Sequence, residues 1–212
     1  GSRRAAGALE ERGLLLPASF VSIAEDCGLI LPIGRWVLRE ACQQAVAWVA
    51  EGLPAITVAV NTSALEFRSD EFLENVRATL QTTGLDPRFL EIELTESVLM
   101  RDADSTNSVL HALSSMGIRL SIDDFGTGYS SLSYLRRFPI NTLKIDQWFV
   151  TQLAASADDA TIVQAVISMG KSLHQRVIAE GVETQEQYAF LLAENCDEGQ
   201  GYFFGRPLAP KA

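Results

Sequence analysis

Two carboxylates stand side by side in this chain, Asp123 and Asp124, after an apolar alternation at Ile118, Leu120 and Ile122 and before Phe125 and a Gly-Thr-Gly loop. Neighbouring aspartates repel each other, and burying either costs free energy unless something cationic faces it. Other short β-branched runs also end in polar residues. Asn61 closes ITVAVN, Glu93 and Glu96 follow from FLEIEL, and Lys144 and Asp146 sit in TLKID. Glu180 and Glu183 lie in AEGVE, and Gln200 lies in EGQGYFF. Gathered at one place, Asn61, Glu93, Asp123 and Asp124 offer oxygen donors only, which select hard ions such as Mg2+ or Mn2+ over zinc. Neither histidine, His111 nor His174, stands at a strand end. Two adjacent carboxylates can bridge a pair of metals, an arrangement suited to in-line displacement at phosphorus. Glu180 could bind a metal or take a proton from water, and Lys144 could orient a nucleophile or neutralise phosphate charge. Each residue alone has a plainer use: a solvated turn for the Asp pair, a helix-start acid for Glu96, a snorkelling stem for Lys144. Their common position at strand ends is what favours a metal site.

The elements that must position these residues alternate. Strand patterns occupy 56–61, 89–94, 118–123, 142–146, 176–181 and 198–204. Helical patterns occupy 18–27, 34–51, 69–83, 105–116, 130–137, 158–173 and 184–194. Thr184 with Gln187 predicts a capping box, Asp158 and Asp159 open an apolar stripe, and Gly84 and Gly117 stand where helices should stop. Strand–helix alternation at roughly 30-residue spacing implies a parallel sheet. Functional residues at the ends of several strands favour a TIM-type (β/α)8 barrel, because an open doubly wound sheet concentrates its site at one switch point beside a glycine-rich loop. Only six strands are recognisable, where a closed barrel needs eight and typically ~250 residues. The expected architecture is therefore a single α/β domain over 1–212, a barrel incomplete at its N-terminus, with the remaining strands before residue 1.

Composition narrows the function. With 47% apolar and 21% charged residues the chain reads as globular. A formal net charge of −10 argues against a general nucleic-acid surface, which needs clustered Lys and Arg. It allows a small phosphorylated ligand with a local cation, for which Lys144 is the candidate. No apolar run approaches the ~18 residues of a membrane span, so no membrane contact is expected from this segment. Cys27, Cys42 and Cys196 are odd in number and lack metal spacing, which suits a reducing cytoplasm.

The segments VNTS (60–63), EIELTES (91–97), SIDDFGTGYSSLSYL (121–135), LKID (143–146), IAEGVET (178–184) and GQGYFFGRPL (199–208) resemble, in order, the signatures of the EAL domain family. FVSIAEDCGLILPIGRWVLREAC (20–42) resembles its first helices, and the likeness runs from about Gly13 to Pro210. The resemblance implies a barrel phosphodiesterase that cleaves cyclic di-GMP to the linear dinucleotide pGpG with two Mg2+ or Mn2+ ions, in bacterial second-messenger signalling. By it, Asn61, Glu93 and Asp123 match ligands of a first metal, and Asp123 and Asp124 match bridging and second-metal ligands. Lys144 matches the lysine that holds the attacking water. Glu180 matches a second-metal glutamate or base, and Gln200 a glutamine near the water network. Glu96 matches the glutamate that steadies the loop after Asp124. Asp146, Glu183 and Pro207 match residues lining the cyclic di-GMP pocket. The segment Phe125 to Ser131 resembles the one coupling metal binding to dimerisation, so a homodimer through 125–137 is expected, in a parent carrying fused sensory or GGDEF-type domains. The family's Glu-Ala-Leu strand, with its ligand Glu and phosphate-contacting Arg, should fall near Ser2, where the chain reads GSRRAAGAL. Impaired activity is the expectation that follows, the alternative being an inactive module that binds cyclic di-GMP or protein partners.

Overall fold

The computed structural model describes residues 17–100, 103–126, 132–153 and 157–206. Six parallel strands form one sheet in the order β1-β2-β3-β4-β5-β6. They are β1 (Val58–Asn61), β2 (Leu90–Thr95), β3 (Arg119–Phe125), β4 (Thr142–Ile145), β5 (Arg176–Ala179) and β6 (Glu198–Gly199). The helices are α1 (Val21–Asp26), α2 (Ile30–Ala50), α3 (Ala64–Phe67), α4 (Phe72–Thr83), α5 (Glu96–Met100), α6 (Ala103–Ser115), α7 (Leu132–Arg137), α8 (Gln147–Gln152), α9 (Ala157–Ser172) and α10 (Gln185–Ala193). Sequential parallel strands with helical crossovers on one side make a half-barrel, the α/β architecture expected from the alternation.

The strands sort their side chains by face, because successive residues point to opposite sides. Leu90, Ile92 and Leu94 of β2, Leu120 and Ile122 of β3, and Leu143 and Ile145 of β4 are buried in one hydrophobic core. Leu38, Cys42, Val76, Leu80, Leu110, Leu113, Val163 and Ile167 of the helices join them there. Burying such side chains is worth about 1.5–3 kcal/mol each. The intervening residues, Glu91, Glu93, Ser121, Asp123, Thr142 and Lys144, are also buried, and they share the inner, concave face. A strand that is apolar outward and polar inward is dry on both sides.

Local chemistry ends the helices where expected. Gly84 caps α4 in the left-handed region at φ 73. Thr184 and Gln187 form the capping box of α10. Three short helices that the sequence reading missed, α3, α5 and α8, begin within a few residues of β1, β2 and β4. Each follows its strand within three residues, so its short run is read as the end of the strand pattern and not as a 3.6-residue period. The strand pattern at 198–204 reduces to Glu198–Gly199. Beyond it the chain turns, with Val182 N–H donating to the Gln200 carbonyl (3.0 Å) and Phe203 N–H to the Val182 carbonyl (2.9 Å). A side chain at Gly201 would collide with the Val182 backbone, so only glycine allows this turn. Among the described residues no helix is long and apolar enough to cross a membrane.

Candidate functional site

The inner-face residues converge at the C-terminal ends of the strands. Lys144, near the end of β4, places its Nζ 2.9 Å from Glu93 Oε1, 3.2 Å from Asp123 Oδ1 and 2.7 Å from Glu180 Oε1. Those carboxylates come from β2, β3 and the residue after β5. Lys144 is only 4% exposed. Burial works to lower its pKa, but Glu93, Glu180 and Asp123 outweigh burial and hold the ammonium above its ordinary range. Burial pushes the Glu93 and Glu180 carboxyls up, with Lys144 opposing in both cases. Removing one partner of such a group would strand a buried charge, at about 3–5 kcal/mol.

Asp124 joins the cluster through a bulge. Between Ile122 and Phe125 the β3–β4 register slips, so that two residues of β3, Asp123 and Asp124, stand opposite one of β4, Lys144. Asp124 takes the left-handed region (φ 54), and its N–H donates to Asp123 Oδ1 at 3.1 Å. Adjacent residues of a regular strand point to opposite faces, and a bulge re-aims one of them. Burial, a hydrogen bond with Asp146 and the charge of Asp123 together raise the Asp124 pKa to about 6. Asp146 meanwhile caps α8, its Oδ1 accepting from Trp148 N–H at 2.6 Å.

Glu96, the first residue of α5 and buried, accepts from Gly126 N–H through Oε2 at 3.2 Å. This clamps the start of the loop after β3. Gly126 has φ +100 and lies against Phe149, whose ring would be 2.9 Å from any added Cβ, so the loop's first residue must be glycine. On the other side, Thr62 N–H donates to the Glu93 carbonyl at 2.9 Å, and Ser63 with Glu66 forms the capping box of α3. Asn61 therefore ends β1 in register with Glu93, with its side chain exposed.

Not all the sequence candidates meet. Gln200 is tied by its backbone, its N–H donating to the Ala179 carbonyl at 2.8 Å, and its side chain is exposed. Glu183 is exposed, with its N–H on Gln187 Oε1 at 2.7 Å. Neither contacts the Lys144 cluster among the described residues. Pro207 and 127–131 of the expected dimer segment lie outside the described residues. One group escaped the sequence reading altogether. Arg176, at the start of β5, pairs with Glu91 of β2 and Glu198 of β6. Glu91 stands two residues before Glu93, and that same-face spacing was the available signal.

The donor set is suited to a hard divalent ion. Glu93, Asp123 and Glu180 are three carboxylates around one ammonium, Asp124 lies beside Asp123 and Asp146, and Asn61 ends β1 in register with Glu93. Such all-oxygen, net-negative sets favour Mg2+ or Mn2+. Among the described residues, no group of three or more acidic, histidine or cysteine side chains stands ready to hold an ion as it is. Instead, the Lys144 ammonium lies among the carboxylates and holds them together.

The EAL domain family matches residues 4–207 of this chain. A bifunctional diguanylate cyclase/cyclic di-GMP phosphodiesterase of Pseudomonas aeruginosa, MucR, is 47% identical over 198 residues, covering 93% of this chain and 29% of MucR. The cyclic di-GMP phosphodiesterase NbdA of the same organism is 46% identical over 197 residues, covering 93% of this chain and 25% of NbdA. The chain thus spans well under a third of these relatives. The PaMucR phosphodiesterase solved as a c-di-GMP complex superposes with a TM-score of 0.91 at 47% identity, covering 92% of this chain and 79% of that one.

Proposed function

This chain belongs to the EAL domain family, and from that premise we propose that it hydrolyses cyclic di-GMP to the linear dinucleotide pGpG in a divalent-metal-dependent reaction. The observation that carries this reading is the convergence of Glu93, Asp123 and Glu180 on the Lys144 ammonium at the strand ends. It is supported by similarity to MucR and NbdA, both named cyclic di-GMP phosphodiesterases.

In this reading Asn61, Glu93 and Asp123 would hold one Mg2+ or Mn2+, Asp123 and Asp124 would hold a second, and Glu180 serves the second site or acts as the base. When bound, the ions polarise the phosphoryl oxygens and acidify water. The water oxygen bonds to phosphorus, and the 3′-oxygen departs and takes up a proton. What remains is a linear dinucleotide with a terminal 5′-phosphate. Lys144, charged throughout, stabilises the negative charge that grows on the phosphoryl group. Glu180, hydrogen-bonded to Lys144 and raised above the ordinary carboxyl range, takes the water's proton. Glu96 keeps the loop after β3 in place, Asp146 and Glu183 line the ligand pocket with Pro207, and Gln200 orders water near it. The protein is further proposed to act in the bacterial cytoplasm, as a homodimer through 125–137, within a parent carrying sensory or GGDEF-type domains.

A module that binds cyclic di-GMP without cleaving it is the second reading, and Lys144 favours it, since the ammonium already satisfies three carboxylates. Incubating the natural full-length protein with cyclic di-GMP and Mg2+, with chromatography of the product and calorimetry of binding, separates the two. Linear dinucleotide is the expected product. Tight binding with no product would overturn the hydrolase in favour of the binding module, and no binding would overturn both.

A further inference from the structure

We propose that Arg176 is a positioning residue, whose guanidinium reaches from β5 across the inner face to Glu91 on β2 and thereby sets how Glu93 and Glu180 approach Lys144. The Arg176 Nη2 lies 2.9 Å from Glu91 Oε2 and 3.2 Å from Thr142 Oγ1, and its Nη1 lies 3.0 Å from Glu198 Oε1. The hydrogen-bonded neighbours of β5 are β4 and β6. Glu91 therefore belongs to a strand separated from Arg176 by β3 and β4. A link between such strands exists only across the concave face, so it fixes the curvature of the sheet, which ladder hydrogen bonds alone leave free.

That curvature controls the centre. Glu91 precedes Glu93 by two residues, Thr142 precedes Lys144 by two, and Arg176 precedes Glu180 by four. One guanidinium thus ties together the stems of three of the four residues that meet at the Lys144 ammonium. Flattening the sheet by loss of this strut moves the Glu93 and Glu180 carboxylates, now 2.9 and 2.7 Å from Nζ, away from each other. Glu91 is 2% exposed, and a buried carboxylate of this kind needs a partner. The planar fork of arginine serves two carboxylates and a hydroxyl together, which a lysine ammonium on a flexible stem does not.

The inference bears on the phosphodiesterase centre but is tested without relying on it. In the full-length protein without metal, the NH3+ resonance of Lys144 reports its three-carboxylate cage by 15N NMR. In Arg176→Met and in the neutral pair Glu91→Gln with Arg176→Met, that resonance is expected to shift or broaden into solvent exchange, with Arg176→Lys intermediate. Val163→Ala, a buried core change in α9 that also lowers the melting temperature, is expected to leave it unchanged. Calorimetry with Mn2+ alone should show affinity about 10–100-fold weaker in the Arg176 variants, the usual scale for groups supporting metal ligands. An unchanged Lys144 resonance in both Arg176→Met proteins, or a Lys144 resonance equally disturbed by Val163→Ala, would overturn the proposal. Absence of hydrolysis by the natural protein would bear on the function reading alone.

Discussion

The inner face of the half-barrel carries two ionic layers, built from similar residues to different ends. In the upper layer the Lys144 ammonium serves Glu93, Asp123 and Glu180, while Asp124 is left to share a hydrogen bond with Asp146. In the lower layer the Arg176 guanidinium divides itself among Glu91, Glu198 and Thr142. An ammonium is a compact point charge on a flexible stem, whereas a guanidinium fork spends its donors in fixed directions. The upper layer gathers more carboxylates than its one cation offsets, and the lower is a frame. The surplus of charge sits in the upper layer, and rigidity sits one pleat below.

Lys144→Met attacks the upper layer hardest. It strands three carboxylates and is expected to cost about 3–5 kcal/mol in denaturant unfolding without metal, partly restored by Mg2+. An unchanged unfolding midpoint would show that the ammonium does not hold the layer together. Asp123→Asn keeps shape but removes a charge, and turnover of cyclic di-GMP should fall at least 10–100-fold. Survival of the rate would remove Asp123 from the proposed metal set.

Asp124→Asn sharpens the contrast in the opposite direction. A carboxyl raised from 3.8 to about 6 holds its proton more tightly in the folded state. Its contribution is full below pH 3.8 and is lost as pH rises through about 6. The metal-free protein should therefore lose stability between those limits. Asp124→Asn should flatten the profile and raise stability at neutral pH by about 1 kcal/mol after allowance for solvent screening, or about 2–4 °C in melting temperature. Thr184→Ala, in the capping box of α10, touches neither layer. It should cost roughly 0.5–1 kcal/mol and leave Mn2+ affinity unaltered. A loss of affinity there would show that the layers are not the seat of metal binding.

Much of this was legible in the residues. Alternation in LEIELT, SIDD and TLKI put Glu93, Asp123 and Lys144 on one face, because strand geometry is local. The capping box at Thr184 and the stop at Gly84 were legible for the same reason. What escaped depends on tertiary curvature or on very short elements. Regular pleating would send Asp123 and Asp124 to opposite faces, and only the bulge, visible in the β3–β4 register, changes that. The partnership of Arg176 with Glu91 joins residues far apart in sequence and strands that are not neighbours. Gln200 and Glu183 stood near strand ends in the pattern yet are exposed, Gln200 where the chain turns after Gly199 and Glu183 where its N–H meets the capping box that opens α10.

The strand order repeats the chain order, each strand lying beside the one before it. Each pairing in such a sheet therefore closes only the loop of one strand–helix unit, whereas contacts that skip strands close longer ones. The contacts that skip strands come later: Lys144 reaches Glu93 only once β4 is in place, and Arg176 reaches Glu91 only once β5 has followed. The two ionic layers thus depend on more of the sheet than any single pairing does, and each is complete only when its last strand is present.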